Sequence, residues 1–166
     1  MPISIDNVLY PGEYTDDKQK AAARKRVNKA NKARAERLKD LQKAGKSKQK
    51  EAAQKSYTGS YLVKFAAMVQ AARHIPYKNR KTLDEYLEIS KKWRLGKPID
   101  EPVRLHWREK SNGEKRYYCS FGALRRASQR LVADMLGCQF KHKPWQYEGP
   151  NRGIAKAVKQ IRALHA

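Results

Sequence analysis

Residues 103–119, VRLHWREKSNGEKRYYC, constrain the fold more than any other stretch of the chain. Two alternating runs flank Ser111-Asn112-Gly113. Asn-Gly between alternating apolar residues predicts a β-hairpin, because a tight primed turn needs positive φ at both central positions. A period of two puts Val103, Leu105 and Trp107 on one face of the first strand and Arg104, His106 and Arg108 on the other. Lys110, Lys115 and Arg116 fall close to the turn, so the hairpin tip is cationic and suited to phosphate.

Charge narrows the partner further. The 166 residues carry 38 Lys+Arg against 16 Asp+Glu, a net of +22. Such a surplus repels itself unless a polyanion neutralises it, which makes nucleic acid the first partner to consider. An anionic membrane is the weaker option, and no apolar run is long enough to span a bilayer. The start, MPISIDNVLYPGEY, has neither the basic nor the apolar region of a secretory leader, so a cytoplasmic location is expected. Cys119 and Cys138 are the only cysteines, and with no histidine cluster beside them they read as reduced thiols rather than a disulfide or zinc site.

Three segments follow from composition. Residues 1–16 contain no Lys or Arg, whereas residues 17–56 contain 15 basic and 4 acidic residues. This second segment is rich in Ala, Lys, Arg and Gln, which are good helix formers. Its larger apolar groups are Val27, Leu38 and Leu41, so a helix there is polar nearly all round and is expected to bury little of itself. It reads as a basic arm, either solvated and partly disordered or ordered along a phosphate backbone, and the two are compatible. Arg24, Lys25, Arg26, Arg34 and Arg37 are its candidate nucleic-acid contacts.

Residues 57–166 read as the domain proper, of α+β class: mostly helical with a small antiparallel hairpin sheet. Tyr61, Phe65, Met68 and Ala72 recur at helical spacing until Pro76. Thr82-Leu83-Asp84-Glu85 forms a capping box for a helix that Gly96 and Pro98 end. After the hairpin, a helix from about Gly122 to Leu136 carries the stripe Leu124, Ala127, Leu131 and Met135, and Gly137 closes it. A loop with Pro144, Trp145 and Tyr147 leads to a last helix striped by Ile154, Val158, Ile161 and Leu164.

Two helix starts, Ser120-Phe121-Gly122-Ala123 and Asn151-Arg152-Gly153, offer backbone amides and a positive dipole end to an anion. Capping by Ser120 and Asn151 is the simpler reading of each. Arg125, Arg126 and Arg130 lie on the polar face of the helix after the hairpin, as a solvated face or as a continuation of a phosphate-tracking surface.

The order of these features resembles a family. A K-x-N-G-x-x-R hairpin (Lys110 to Arg116), a GA-x-x-RA-x-Q helix (Gly122 to Gln129) and QYEGPNRGIAKAVKQI are similar to the N-terminal fingers of reverse transcriptases of the bacterial retroelement and group II intron type. The resemblance covers roughly residues 97–165. It implies that Lys110 and Arg116 contact the triphosphate of the incoming nucleotide. It also implies that Gln146, Tyr147, Arg152 and Gly153 line the template path, whereas Lys115, Arg125, Arg126 and Arg130 are nucleic-acid candidates from their charge and placement alone. The chain has Glu148-Gly149-Pro150-Asn151 where the family has Gly-Phe-Arg-Pro-Gly.

In that family the catalytic carboxylates lie on palm strands and hold two metal ions. The resemblance therefore implies Mg2+ only in an assembly completed by a second polypeptide carrying palm and thumb, and no catalytic or metal-ligating residue on this chain. The string Tyr14-Thr15-Asp16-Asp17 matches the palm motif Y-x-D-D in letters only, since it precedes the fingers-like blocks and its acids suit the opening of a basic helix. The expected function is the fingers-bearing part of an RNA-directed polymerase. The alternatives are a non-enzymatic RNA-binding component of a ribonucleoprotein and a basic DNA-packaging or phage structural protein. RNA is the favoured nucleic acid on the resemblance.

Overall fold

Asp16 opens the first helix, α1 (Asp17–Lys43), by accepting the Lys18 N–H at 3.1 Å, and Asp17 places a second negative charge in the first turn. The acids of the Y-x-D-D string thus serve as a helix start. The computed structural model describes Tyr14, residues 16–45 and residues 47–139. Five α-helices and one two-stranded antiparallel sheet make up these residues, the α+β architecture expected.

The basic segment is not an appendage. Ala23, Val27, Ala30, Arg34 and Leu41 are all buried, at steps of three, four and seven that keep one face inward. Reading alanines as helix formers conceals that they are core residues: small side chains let α1 approach its neighbours closely. α1 packs on α3 (Tyr61–Ala72) and on α5 (Ala123–Gln139), and α2 (Ser47–Gly59) returns along it to bury Tyr57 completely.

α3 is the centre of the bundle. α1, α4 (Leu83–Lys92) and α5 all pack on it, and every residue from Val63 to Val69 is buried. The one-sided stripe expected there is therefore incomplete, and Tyr61, placed on it, is instead exposed. Lys64 is carried into the core by this all-round packing. Its Nζ donates to the Trp93 carbonyl at 2.6 Å, while burial, with a smaller push from Arg94, lowers its pKa.

α4 begins with the predicted capping box: Thr82 Oγ1 accepts the Glu85 N–H at 3.2 Å and Glu85 Oε2 accepts the Thr82 N–H at 2.8 Å. It stops at Lys92, before Gly96, where Trp93 turns extended and buries its indole. α5 runs past Gly137 to Gln139, because Cys138 still packs on the core and rewards another turn. Its buried stripe is Ala123, Ala127 and Leu131, with Leu124 and Met135 partly covered.

One polar cluster ties four helices. Arg34 of α1 donates to the Tyr57 hydroxyl of α2 at 3.2 Å, to Gln70 Oε1 of α3 at 2.6 Å and to Asp134 of α5. Tyr57 in turn donates to Asp134 Oδ2 at 2.6 Å. Burial alone would lower the Arg34 pKa, but the bonds to Asp134 and Tyr57 outweigh it and raise it. Burial, then the bond to Asp134, pushes the Tyr57 phenol far above its ordinary value, so it remains a donor. Arg34 is thus a core residue, a correction to its reading as a nucleic-acid contact. Among the described residues no helix is long and apolar enough to cross a membrane.

Candidate nucleic-acid interface

The hairpin stands clear of the helices. β1 (Arg104–Glu109) pairs with β2 (Lys115–Ser120) in the register Leu105–Cys119, His106–Tyr118, Trp107–Tyr117, Arg108–Arg116 and Glu109–Lys115. Residues directly opposite share a face. One face therefore presents Leu105, Trp107, Tyr117 and Cys119, and the other Arg104, His106, Arg108, Arg116 and Tyr118. The alternation expected from sequence is present, but its apolar face is not buried: Leu105 is 67% exposed, Trp107 55% and Tyr117 61%. Cys119, on the same face, is exposed as well. Large apolar side chains left in water on a protruding ribbon mark a binding surface.

The turn differs from the two-residue primed form. Gly113, at φ +79°, is the last residue of a three-residue loop, Ser111-Asn112-Gly113. Its N–H donates to the Lys110 carbonyl at 3.0 Å, the Lys110 N–H donates to the Glu114 carbonyl at 2.8 Å, and Asn112 Oδ1 accepts the Glu114 N–H at 3.2 Å. This is the longer hairpin loop, in which only the position after the turn needs the left-handed region that glycine supplies. The loop also decides what Lys110 does. Its Nζ meets Glu114 Oε2 at 2.6 Å, and this bond is the main cause that holds the Glu114 carboxyl below its usual range. Lys110 is thus already paired within the loop.

The cationic face is held in an open arrangement. His106 stacks on Tyr118 with centroids 5.2 Å apart and planes 18° from parallel, and His106 Nε2 lies 2.8 Å from Ser120 Oγ. The Arg108 guanidinium sits over the Tyr118 ring at 5.8 Å. Arg108 and Arg116 face each other across the strands, and neither forms an ion pair with a described residue. Like charges directly opposite cost a sheet roughly 0.2–1 kcal/mol. On the aromatic face, Lys115 lies over Trp107, its Nζ 4.6 Å from the ring centroid. The alternation placed His106 and Arg108 on one face, but not Tyr118 opposite them: only the pairing register reveals that stack.

The base of the hairpin is locked to α5. Glu101 Oε1 and Oε2 accept the Leu124 and Arg125 N–H groups at 3.1 and 2.9 Å. Arg125 reaches back to the carbonyls of Glu101 (3.1 Å) and Ile99 (3.0 Å), and Arg126 donates to the Phe121 carbonyl at 2.8 Å. The start of α5 is therefore filled by the chain's own carboxylate. This corrects both readings of Ser120-Phe121-Gly122-Ala123: it is not an open anion site, and Ser120 is not its cap. Arg125 is a structural anchor.

Gly122 makes that cap possible. A Cβ there would collide with the carboxyl carbon and Oε1 of Glu101, far inside van der Waals contact. Gly122→Ala is expected to displace Glu101 and destabilise the protein by about 1 kcal/mol, the usual worth of a helix cap. Thermal unfolding of Gly122→Ala, Glu101→Ala and the double variant checks this. Strictly additive losses would rule out a shared mechanism.

The remaining candidates separate. Arg26 pairs with Asp84, Arg37 binds the Ser56 carbonyl at 3.1 Å and the Ser56 hydroxyl, and Arg24 and Lys25 lie on the exposed side of α1. Arg130 is exposed, with its Nε 3.4 Å from Asp134 Oδ1. Gln146, Tyr147, Arg152 and Gly153, with the aromatic loop and last helix, lie outside the described residues. Among the described residues no group of three metal-ligating side chains converges. Family models, curated proteins and solved structures offer no match to this chain.

Proposed function

We propose that this chain is the fingers-bearing part of an RNA-directed polymerase, binding template RNA and the incoming nucleotide through its hairpin, with palm carboxylates supplied by a second polypeptide. The observation that carries the nucleic-acid part is the exposed hairpin itself. Its one face sets two arginines against each other, a repulsion that a bridging phosphate relieves. Its other face offers Trp107 and Tyr117 to unpaired bases, which stack on aromatic rings whatever their identity. The polymerase part rests on the order of hairpin, glycine-led helix and basic helix face.

A second reading, a non-enzymatic RNA-binding protein, is favoured by the pairing of Lys110 with Glu114, which leaves Arg116 as the unpaired member of the two triphosphate candidates. Binding of a fluorescent deoxynucleoside triphosphate to the chain, with and without single-stranded RNA, separates the two. The polymerase reading expects saturable nucleotide binding that Arg116→Ala weakens about tenfold, the effect of losing one charge-assisted contact worth about 1.4 kcal/mol. RNA binding with no nucleotide binding at all would leave the second reading in place.

A further inference from the structure

Helices α1, α3 and α5 enclose a second cationic feature. A groove of about 810 Å³ runs between them, lined by Arg73, His74, Arg126 and Arg130 together with carboxamides such as Asn28 and Gln129. Among the described residues none that lines it is acidic. Asp134 lies beside it, but its charge is already matched in the core by Arg34, so Arg130 remains in surplus although it approaches the same carboxylate. Arg73, Asn28, Gln129 and Arg130 are exposed.

The groove does not stand alone. His74 and Arg126 also line a neighbouring cavity of about 490 Å³ that reaches Arg104 and Ser120 at the base of the hairpin. Asp100 and Glu101 also line that cavity, the Glu101 carboxylate engaged by the α5 amides, against the three cations Lys81, Arg104 and Arg126. A cationic path therefore leads from the Arg-bearing face of the hairpin, past Arg126, to Arg73 and Arg130. Guanidinium groups bind phosphate oxygens, and carboxamides bind phosphate and sugar oxygens alike. A small anion needs one such cluster, whereas a path of several suits a polymer.

We propose that the groove between α1, α3 and α5 holds the phosphodiester backbone of a single-stranded nucleic acid that continues from the hairpin. The inference rests on the nucleic-acid reading of the hairpin and extends it to a second, separate surface. The test uses the full chain and a fluorescein-labelled oligouridylate, with affinity measured against salt. Arg73→Ala/Arg130→Ala is expected to weaken binding about tenfold or more and to lower the salt slope by about 1.4, at about 0.7 per phosphate contact on a single strand. Gln129→Glu, an exposed and fold-neutral change, is expected to weaken binding several-fold by adding a carboxylate to the groove.

Arg108→Ala/Arg116→Ala serves as the comparison on the hairpin. Should that variant lose affinity while both groove variants bind like wild type, the groove proposal fails and the hairpin reading stands. If none of the three changes binding, both fail. Displacement of the oligouridylate by inorganic phosphate at matched ionic strength would reassign the groove to a small anion and overturn the proposal.

Discussion

Asp134→Ala is expected to destabilise the protein by about 3–5 kcal/mol, the cost of leaving a buried guanidinium without its counter-charge. At about 2–4 °C per kcal/mol for a chain of this size, Tm should fall by roughly 6–20 °C. The reason is the position of the cluster: Asp134 receives both Arg34 and Tyr57, and Arg34 reaches Gln70, so one carboxylate joins α1, α2, α3 and α5. Tyr57→Phe, which removes one donor and leaves the ion pair, should cost far less, about 1 kcal/mol. Replacing the charged pair together, as Arg34→Met/Asp134→Leu, should recover most of the loss, because no ion is then stranded. Thermal and urea unfolding distinguish these outcomes. A loss below about 1 kcal/mol for Asp134→Ala would show that water reaches Arg34 and that the cluster lies outside the cooperative core.

Trp107→Ala/Tyr117→Ala should weaken single-stranded RNA binding by about a hundredfold, given roughly 1–3 kcal/mol per stacked base and two rings lost. The salt slope should hardly move, because no cation is removed. Arg108→Ala/Arg116→Ala should do the reverse in kind, lowering the slope by about 1.4 with a smaller loss at high salt. The two hairpin faces thus make separable contributions, one insensitive to salt and one governed by it. Fluorescence anisotropy across a salt series measures both. Thermal stability is the internal control: both rings lie exposed on a ribbon that touches the helices only at its base, so Tm should change little. Equal loss of slope in both variants would contradict the division of labour between the faces.

Some of this architecture is legible from residues alone. The capping box at Thr82–Glu85, the helix start at Asp16 and the alternation of the hairpin are local patterns, and local hydrogen bonding and sterics suffice to decide them. The helices around Phe65 and Leu131 follow from periodicity for the same reason. The basic segment reads as an arm because, of its inward residues Ala23, Val27, Ala30, Arg34 and Leu41, only Val27 and Leu41 carry a strong hydrophobic signal. Their burial depends on which helices lie opposite. Arg34 and Arg37 differ by a single turn of one helix, and nothing local tells the core residue from the surface one.

The candidate site divides in the same way. Sequence by itself determined that the chain is strongly cationic, that a hairpin projects basic residues, and that a glycine-led helix follows it, because charge, turn chemistry and period are properties of short segments. Tertiary structure decided the rest. It left the hairpin uncovered on both faces, set Arg116 against Arg108 and Lys110 against Glu114, closed the α5 start with Glu101 from a segment more than twenty residues away, and gathered Arg73, just past the end of α3, with Arg126 and Arg130 of α5 into one groove. Each of these is a long-range juxtaposition. Burial, charge pairing and the occupation of helix ends depend on what the fold brings near, and that is fixed only when the whole chain packs.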